Sequence, residues 1–302
     1  MVQILVLLLV IALVIRGISY VYHTVSARSM SGKRFKEAVE NGELTPELAD
    51  EAKRYYVESE IKEVKKTRKL TRGERQEVKL AEQKLRNDYL ENFNVGIYQL
   101  IYIFVIASVL GLILEEVWMY LNFGIKESRV GLAWGPFSPL YGFGACLLTV
   151  VLWKLRKHPA WQIFLLSAFL GTALEQVTGM GMEYLAHAES WNYLSLPDHI
   201  TQWTAWRFVI IWGFLGLVWV RVILPELLYF IGRACGGKGR IVAVSLLAVF
   251  LAADIVVTVT CFARNTERAE GIPPHNSFES WIDQHYDEQF INERFENLTV
   301  EQ

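Results

Sequence analysis

The chain has 302 residues, 52% of them hydrophobic, with 10 Trp and a formal net charge of −2. Its mean hydropathy is positive. That balance excludes a disordered polypeptide and an ordinary soluble domain, and the near-neutral charge argues against nucleic acid as a partner, whose binders carry a basic face.

Six segments approach the roughly 20 apolar residues that a helix needs to cross a bilayer: 2–20, 97–121, 137–153, 161–185, 208–231 and 241–262. They predict an all-α, polytopic membrane helical bundle with about six transmembrane helices and a cytoplasmic helical segment. The divisions expected are an N-terminal transmembrane helix (1–26), a charged cytoplasmic helical segment (27–96), a five-helix membrane core (97–263) and an acidic non-cytoplasmic tail (264–302). Val25-Ser26-Ala27 offers a tolerable signal-cleavage site, yet no basic residue precedes the first stretch and Arg16 interrupts it, so the helix is read as uncleaved. Lys and Arg collect after the first span (Arg28, Lys33, Arg34, Lys36), the third (Lys154, Arg156, Lys157) and the fifth (Arg233, Lys238, Arg240), whereas 186–206 has none. The positive-inside rule then places both termini on the non-cytoplasmic side.

Within 29–92, Thr45-Pro46-Glu47 reads as a helix start. Thr71-Arg72-Gly73-Glu74 fits a capping box, predicting a helix from Arg72 towards Leu90 with Val78, Leu85 and Tyr89 on a partly apolar face. Two readings stay open for this segment, solvated surface helices or a docking surface for a cytoplasmic partner.

Charge inside the spans costs roughly 2.5–3.5 kcal/mol per residue at the bilayer centre. Glu115 and Glu116 end the second span, Glu175 lies inside the fourth, Arg207 opens the fifth and Asp254 sits inside the sixth. These acids require a proton, water or a loop cation such as Arg129. Glu175, Thr178 and Met182 share a helix face, with Glu183 two turns on, so a polar stripe is expected along the fourth span. It serves either as a structural contact to Arg207 or as the lining of a polar path. The loop that follows carries Trp191-Asn192-Tyr193, Trp203 and Trp206, an interfacial belt or a lid over the stripe. Small residues at Ala107/Gly111 and Ser167/Gly171 predict close helix contacts. In the tail, Gly271-Ile272-Pro273-Pro274 is a break before a helix near 280–295.

Several motifs are set aside. Cys146, Cys235 and Cys261 lack metal or CxxC spacing. Glu183, His187, Glu189 and His199 have generic spacing, so no metal site is expected. In Gly232-Arg-Ala-Cys-Gly-Gly237-Lys238-Gly239, Gly239 replaces the magnesium-binding Ser or Thr of a P-loop, and no cofactor is expected.

The irregular run Trp134-Gly135-Pro136-Phe137-Ser138-Pro139-Leu140-Tyr141-Gly142-Phe143-Gly144 marks a built site, because non-helical backbone at membrane depth survives only against protein or water. Together with Arg129, Glu175, Glu183, Trp191-Asn192-Tyr193, Arg207, Trp212-Gly213 and Pro225, it resembles the bacterial ABC-transporter permease family of type IV, CmpB-like, over about 98–228. The chain departs from that pattern at Asn192, where the family carries Asp, and at Trp206, where it carries Gly. The resemblance implies a multi-pass protein of the bacterial cytoplasmic membrane. As a permease subunit it would act with a separate ATP-binding subunit, in contact with membrane lipid and with a second copy of the chain as a further candidate partner. Two alternatives remain: a non-catalytic scaffold that recruits a cytoplasmic partner through 27–96, and a membrane-embedded enzyme acting on an amphiphile with Glu175 or Glu183 as acid or base.

Overall fold

The computed structural model describes residues 71–91, 93–186, 188–234, 238–296 and 299–300. The predicted span at 2–20, the helix start at Thr45 and Cys235 lie outside them. Apart from loops and a two-residue antiparallel pair, Ala188–Glu189 (β1) with Thr299–Val300 (β2), the described chain is helical. Four helices are long and apolar enough to cross a membrane: Ile97–Leu121, Ala160–Tyr184, Trp206–Gly232 and Ile241–Ala269. The run expected at 137–153 forms a shorter apolar helix, Pro139–Leu155.

In chain order the elements are α1 (Arg72–Glu91), α2 (Ile97–Phe123), α3 (Pro139–Leu152), α4 (Ala160–Ala186), α5 (Trp206–Val218), α6 (Leu224–Ala234), α7 (Lys238–Ala269), α8 (Ser277–His285) and α9 (Glu288–Arg294). Helix α1 occupies the segment that the capping-box signal indicated. Two compact units contain them. In the smaller, residues 71–91, 93–94 and 225–234 pack together. Arg86 pairs with Glu226, the Tyr89 ring meets Tyr229 edge-on at 5.4 Å, and Leu90, Leu227, Leu228 and Ile231 are buried.

The larger unit holds the bundle. Between lipid-facing helices there is little hydrophobic driving force, so close packing at small residues carries the association. A Cβ on Gly111 of α2 would overlap the Tyr141 ring of α3, and one on Gly142 would meet Ser108 and Phe104. Between α4 and α5, Gly171 lies beneath the Trp212 indole and Gly216 beneath Ser167. Gly111, Ser167 and Gly171, three of the four small residues singled out in the sequence, thus lie at close contacts. Helix α5 ends in a π turn at Trp219–Ile223, where buried Trp219 donates its indole N–H to Thr149 Oγ1 at 3.0 Å. The extra residue of a π turn leaves backbone groups off the regular ladder, and such turns recur at functional segments.

The tail is two helices rather than one. After Tyr286 closes α8, Asp287 starts α9 by accepting the Phe290 N–H at 2.8 Å, as Asn276 does for Glu279 at 2.9 Å at the start of α8. The chain reaches this hairpin through Gly271, whose φ of 74° suits glycine. Ile282, Tyr286, Ile291 and Phe295 are then buried against Leu112, Val257 and Phe262, each such side chain contributing roughly 1.5–3 kcal/mol. Charge fixes the register: Arg264 Nη2 and Arg268 Nη1 each reach Asp283 at 2.8 Å.

Hydrogen bonds from Arg264 and Arg268 hold the Asp283 carboxyl below its usual range. A depressed carboxyl stabilises the folded state above its unfolded value, near 4, and that stability disappears as pH falls through the lower folded value. Hydrogen exchange of 277–295, corrected for intrinsic rates, is therefore expected to accelerate only below about pH 4. Unchanged protection down to about pH 2 would show that the carboxylate does not hold the tail.

Candidate functional site

Residues 188–205 lie along one face of α4, and the contacts recur at each turn of that helix. The Tyr193 hydroxyl donates to Glu175 Oε1 at 3.0 Å, and Thr201 Oγ1 donates to Gln176 Oε1 at 2.7 Å. Further along, Gln202 Nε2 and Trp203 Nε1 donate to Glu183 Oε2 at 2.7 and 3.1 Å. The Trp203 ring sits against Gly179, where a Cβ would strike it. The segment also holds itself together. Trp191 Nε1 bonds to the Trp203 carbonyl at 3.0 Å, while Asn192 accepts from Leu194 N–H and donates to Glu189. The tryptophan-rich loop is thus fastened over the polar stripe by side-chain hydrogen bonds.

Glu175 is only 5% exposed on an apolar helix. Its second oxygen, Oε2, is buried without a hydrogen-bond partner among the described residues. The Trp212 indole approaches the carboxylate, and the Tyr193 ring is stacked on Phe208 with centroids 4.5 Å apart. Burial, with the neighbouring Glu175 carboxylate adding to it, pushes the Tyr193 phenol well above its ordinary value, so it remains a hydrogen-bond donor. Arg207 does not supply the countercharge that one reading assigned to it. Its guanidinium pairs with Asp198 at 2.6 Å, nine residues earlier, and these bonds hold the Asp198 carboxyl below its usual value.

Tyr141 extends the site towards α2. Its hydroxyl faces Glu115 and lies within electrostatic range of Tyr193 and Glu175. Glu115 in turn accepts from Arg129 Nε at 2.7 Å, and Arg129 also pairs with Glu127. The loop cation expected to answer the second-span acids is therefore Arg129, acting on Glu115. The run Arg129–Glu115–Tyr141–Tyr193–Glu175 brings together residues scattered over three helices and two loops. Thr178, one turn past Glu175, is half-buried on the same helix.

Two predicted residues lie elsewhere. Glu116 is exposed and lines a cavity of about 290 Å³ with Met119, Lys126, Glu127 and Glu296. Asp254 anchors the irregular run instead: its Oδ1 accepts the Trp134 N–H at 2.9 Å, while Thr258 Oγ1 accepts the Ala133 N–H at 2.8 Å. On the other side of that run Arg294 bonds to the Leu132 and Gly135 carbonyls. Burial lowers the Arg294 pKa, and the charge of Asp254 opposes that effect. Gly135 turns at φ 72°, Pro136 is exposed, and Pro139 begins α3 with its ring against Gly131. Gly142 and Gly144 let α3 approach Phe104 and Leu174.

Sequence reasoning missed Arg294, Asp198 and Trp212 as partners of these groups. Arg207 and Asp198 bracket the end of a loop, a short-range signal that was available. Arg294 lies far along the chain from Gly135, and spacing could not connect them. The P-loop-like stretch lies partly outside the described residues.

A family model described as "Putative ABC-transporter type IV" matches residues 102–259, a stretch that includes Glu115, Arg129, Tyr141, Glu175, Tyr193, Arg207 and Asp254. No curated protein and no solved structure matches the chain. The matched residues span more than half of the 302, and the chain therefore belongs to this ABC-transporter type IV family of membrane proteins.

Proposed function

We propose that the chain is the permease subunit of an ABC-type transporter of the bacterial cytoplasmic membrane, and that the polar site around Glu175 lies on its substrate path. The observation that carries this reading is a buried carboxylate with one unpartnered oxygen, held in an apolar helix beneath a hydrogen-bonded loop. A group at that depth is costly, and a protein keeps one there when a bundle interior, water or a ligand meets it. Side-chain hydrogen bonds at Glu175, Gln176 and Glu183 can break in turn as the loop 188–205 lifts, exposing the stripe without unfolding a helix. In this reading there are six spans, both termini lie outside, and 27–96 lies in the cytoplasm. ATP hydrolysis belongs to a separate subunit that engages the cytoplasmic loops.

The path is tested by accessibility. With Cys146, Cys235 and Cys261 replaced, Thr178→Cys in membrane vesicles is expected to react with a membrane-impermeant maleimide. Val177→Cys, whose parent side chain is 68% exposed and in this reading faces lipid, is expected to resist the reagent. Equal labelling at both positions, or protection of Thr178→Cys under all conditions, would remove the basis for a path along α4.

A further inference from the structure

The chemistry around Glu175 selects among substrates. We infer that the site binds an organic cation, an ammonium group whose N–H donates to Glu175 Oε2 while its carbon-bearing side rests against the aromatic rings about it. This inference rests on the proposed path and deepens it by naming the class of molecule that the path admits.

Charge is the first argument. Glu175 is buried, and the groups that meet its carboxylate, the Tyr193 hydroxyl at Oε1 and the nearby Trp212 indole, are neutral. The nearby arginines are committed: Arg129 to Glu115 and Glu127, and Arg207 to Asp198. Among the described residues no cation therefore neutralises Glu175. Glu183 adds a second carboxylate two turns along the stripe, and its hydrogen bonds come from Gln202 and Trp203, both neutral. An anion entering along this face meets acid after acid, whereas a cation gains at each step. Desolvation strengthens that preference, because an unpaired buried charge is far more costly than a paired one.

Shape and donor chemistry narrow the class. In its ionised form the unpartnered oxygen accepts but cannot donate, so it then calls for an N–H or O–H on the ligand. The carboxylate is met by Tyr193, whose ring is stacked on Phe208, and by the Trp212 indole. Aromatic faces attract ammonium groups and bury the attached carbon chain, whereas a hard metal ion would call for several oxygen ligands. One free carboxylate oxygen beside aromatic rings is an amine's complement.

Ethylammonium is the probe, with ethanol as its neutral counterpart, added to the full chain in mild detergent at constant ionic strength set with sodium chloride. Binding is read by tryptophan fluorescence and by calorimetry. Saturable binding of ethylammonium but not ethanol is expected, and Glu175→Gln should weaken it about tenfold or more. If that variant does not fold, protection of Thr178→Cys from the maleimide by ethylammonium, and not by ethanol, replaces it. No saturable binding, equal response to ethanol, or equal affinity in folded Glu175→Gln overturns the inference. Labelling of Thr178→Cys without any effect of ethylammonium means that the path stands and its substrate is of another class. Absence of labelling beside the lipid-facing control strikes at the path itself.

Discussion

Gly171→Leu is expected to lower the thermal midpoint in mild detergent by more than any surface change in the bundle. The Trp212 indole lies where the first side-chain carbon would have to go, and on the same contact Ser167 lies against Gly216. Relief requires either that Trp212 swing away or that α4 and α5 separate. Trp212 is 7% exposed and packs beside Gly144 as well, so its motion disturbs α3 too. Overpacking of this kind costs about 1–3 kcal/mol, and more when backbone must move. A matched pair isolates the cause from helix propensity. Gly181 has nothing within 4 Å of its added carbon, so Gly181→Ala should melt at or slightly above the parent, while Gly171→Ala should melt below it. Equal behaviour of the two alanine variants would mean that α4 and α5 do not depend on this contact.

Arg264→Ala is expected to detach the tail. Arg264 is 1% exposed and binds Asp283 through Nε at 3.1 Å and Nη2 at 2.8 Å, and also the Ile272 carbonyl at 3.1 Å. One guanidinium thus fixes the connection and α8 together. Removing one partner of a buried pair costs about 3–5 kcal/mol, because the other charge stays behind. Asp283 keeps Arg268 and is 19% exposed, so the loss falls below that range, at about 1.5–3 kcal/mol. Arg264→Lys should restore only part, since one ammonium cannot make the forked contact. Limited proteolysis within 277–295 reports the outcome, and parental resistance in Arg264→Ala would show that apolar burial alone secures the hairpin. The consequence reaches the irregular run, because Arg294 at the end of that hairpin holds the Leu132 and Gly135 carbonyls.

The legible part of the architecture was whatever is written locally. Apolar length marked the long helices, Thr71 and Glu74 marked the start of α1, and Gly271 with the two prolines marked the break before the tail. The helix expected near 280–295 came out as two because Asp287 caps the second, a stop that a run of helix-forming residues hides. Among the candidate residues, Glu175 and Glu183 stand on one stripe, as their spacing required, and Arg129 answers Glu115.

Other pairings depended on how the helices came together. Spacing along α4 could not show that Tyr193 would reach Glu175, that Arg207 would turn to Asp198, or that Asp254 would hold the backbone at Trp134. By itself the sequence determined that costly acids lie inside apolar segments, since composition and the 3.6-residue period are properties of a single stretch of chain. Only the tertiary structure decided which acids, Glu175 and Asp254, keep an unpartnered oxygen. That depends on which donors arrive from other helices and loops, and packing at Gly111, Gly171 and Gly216 sets those distances.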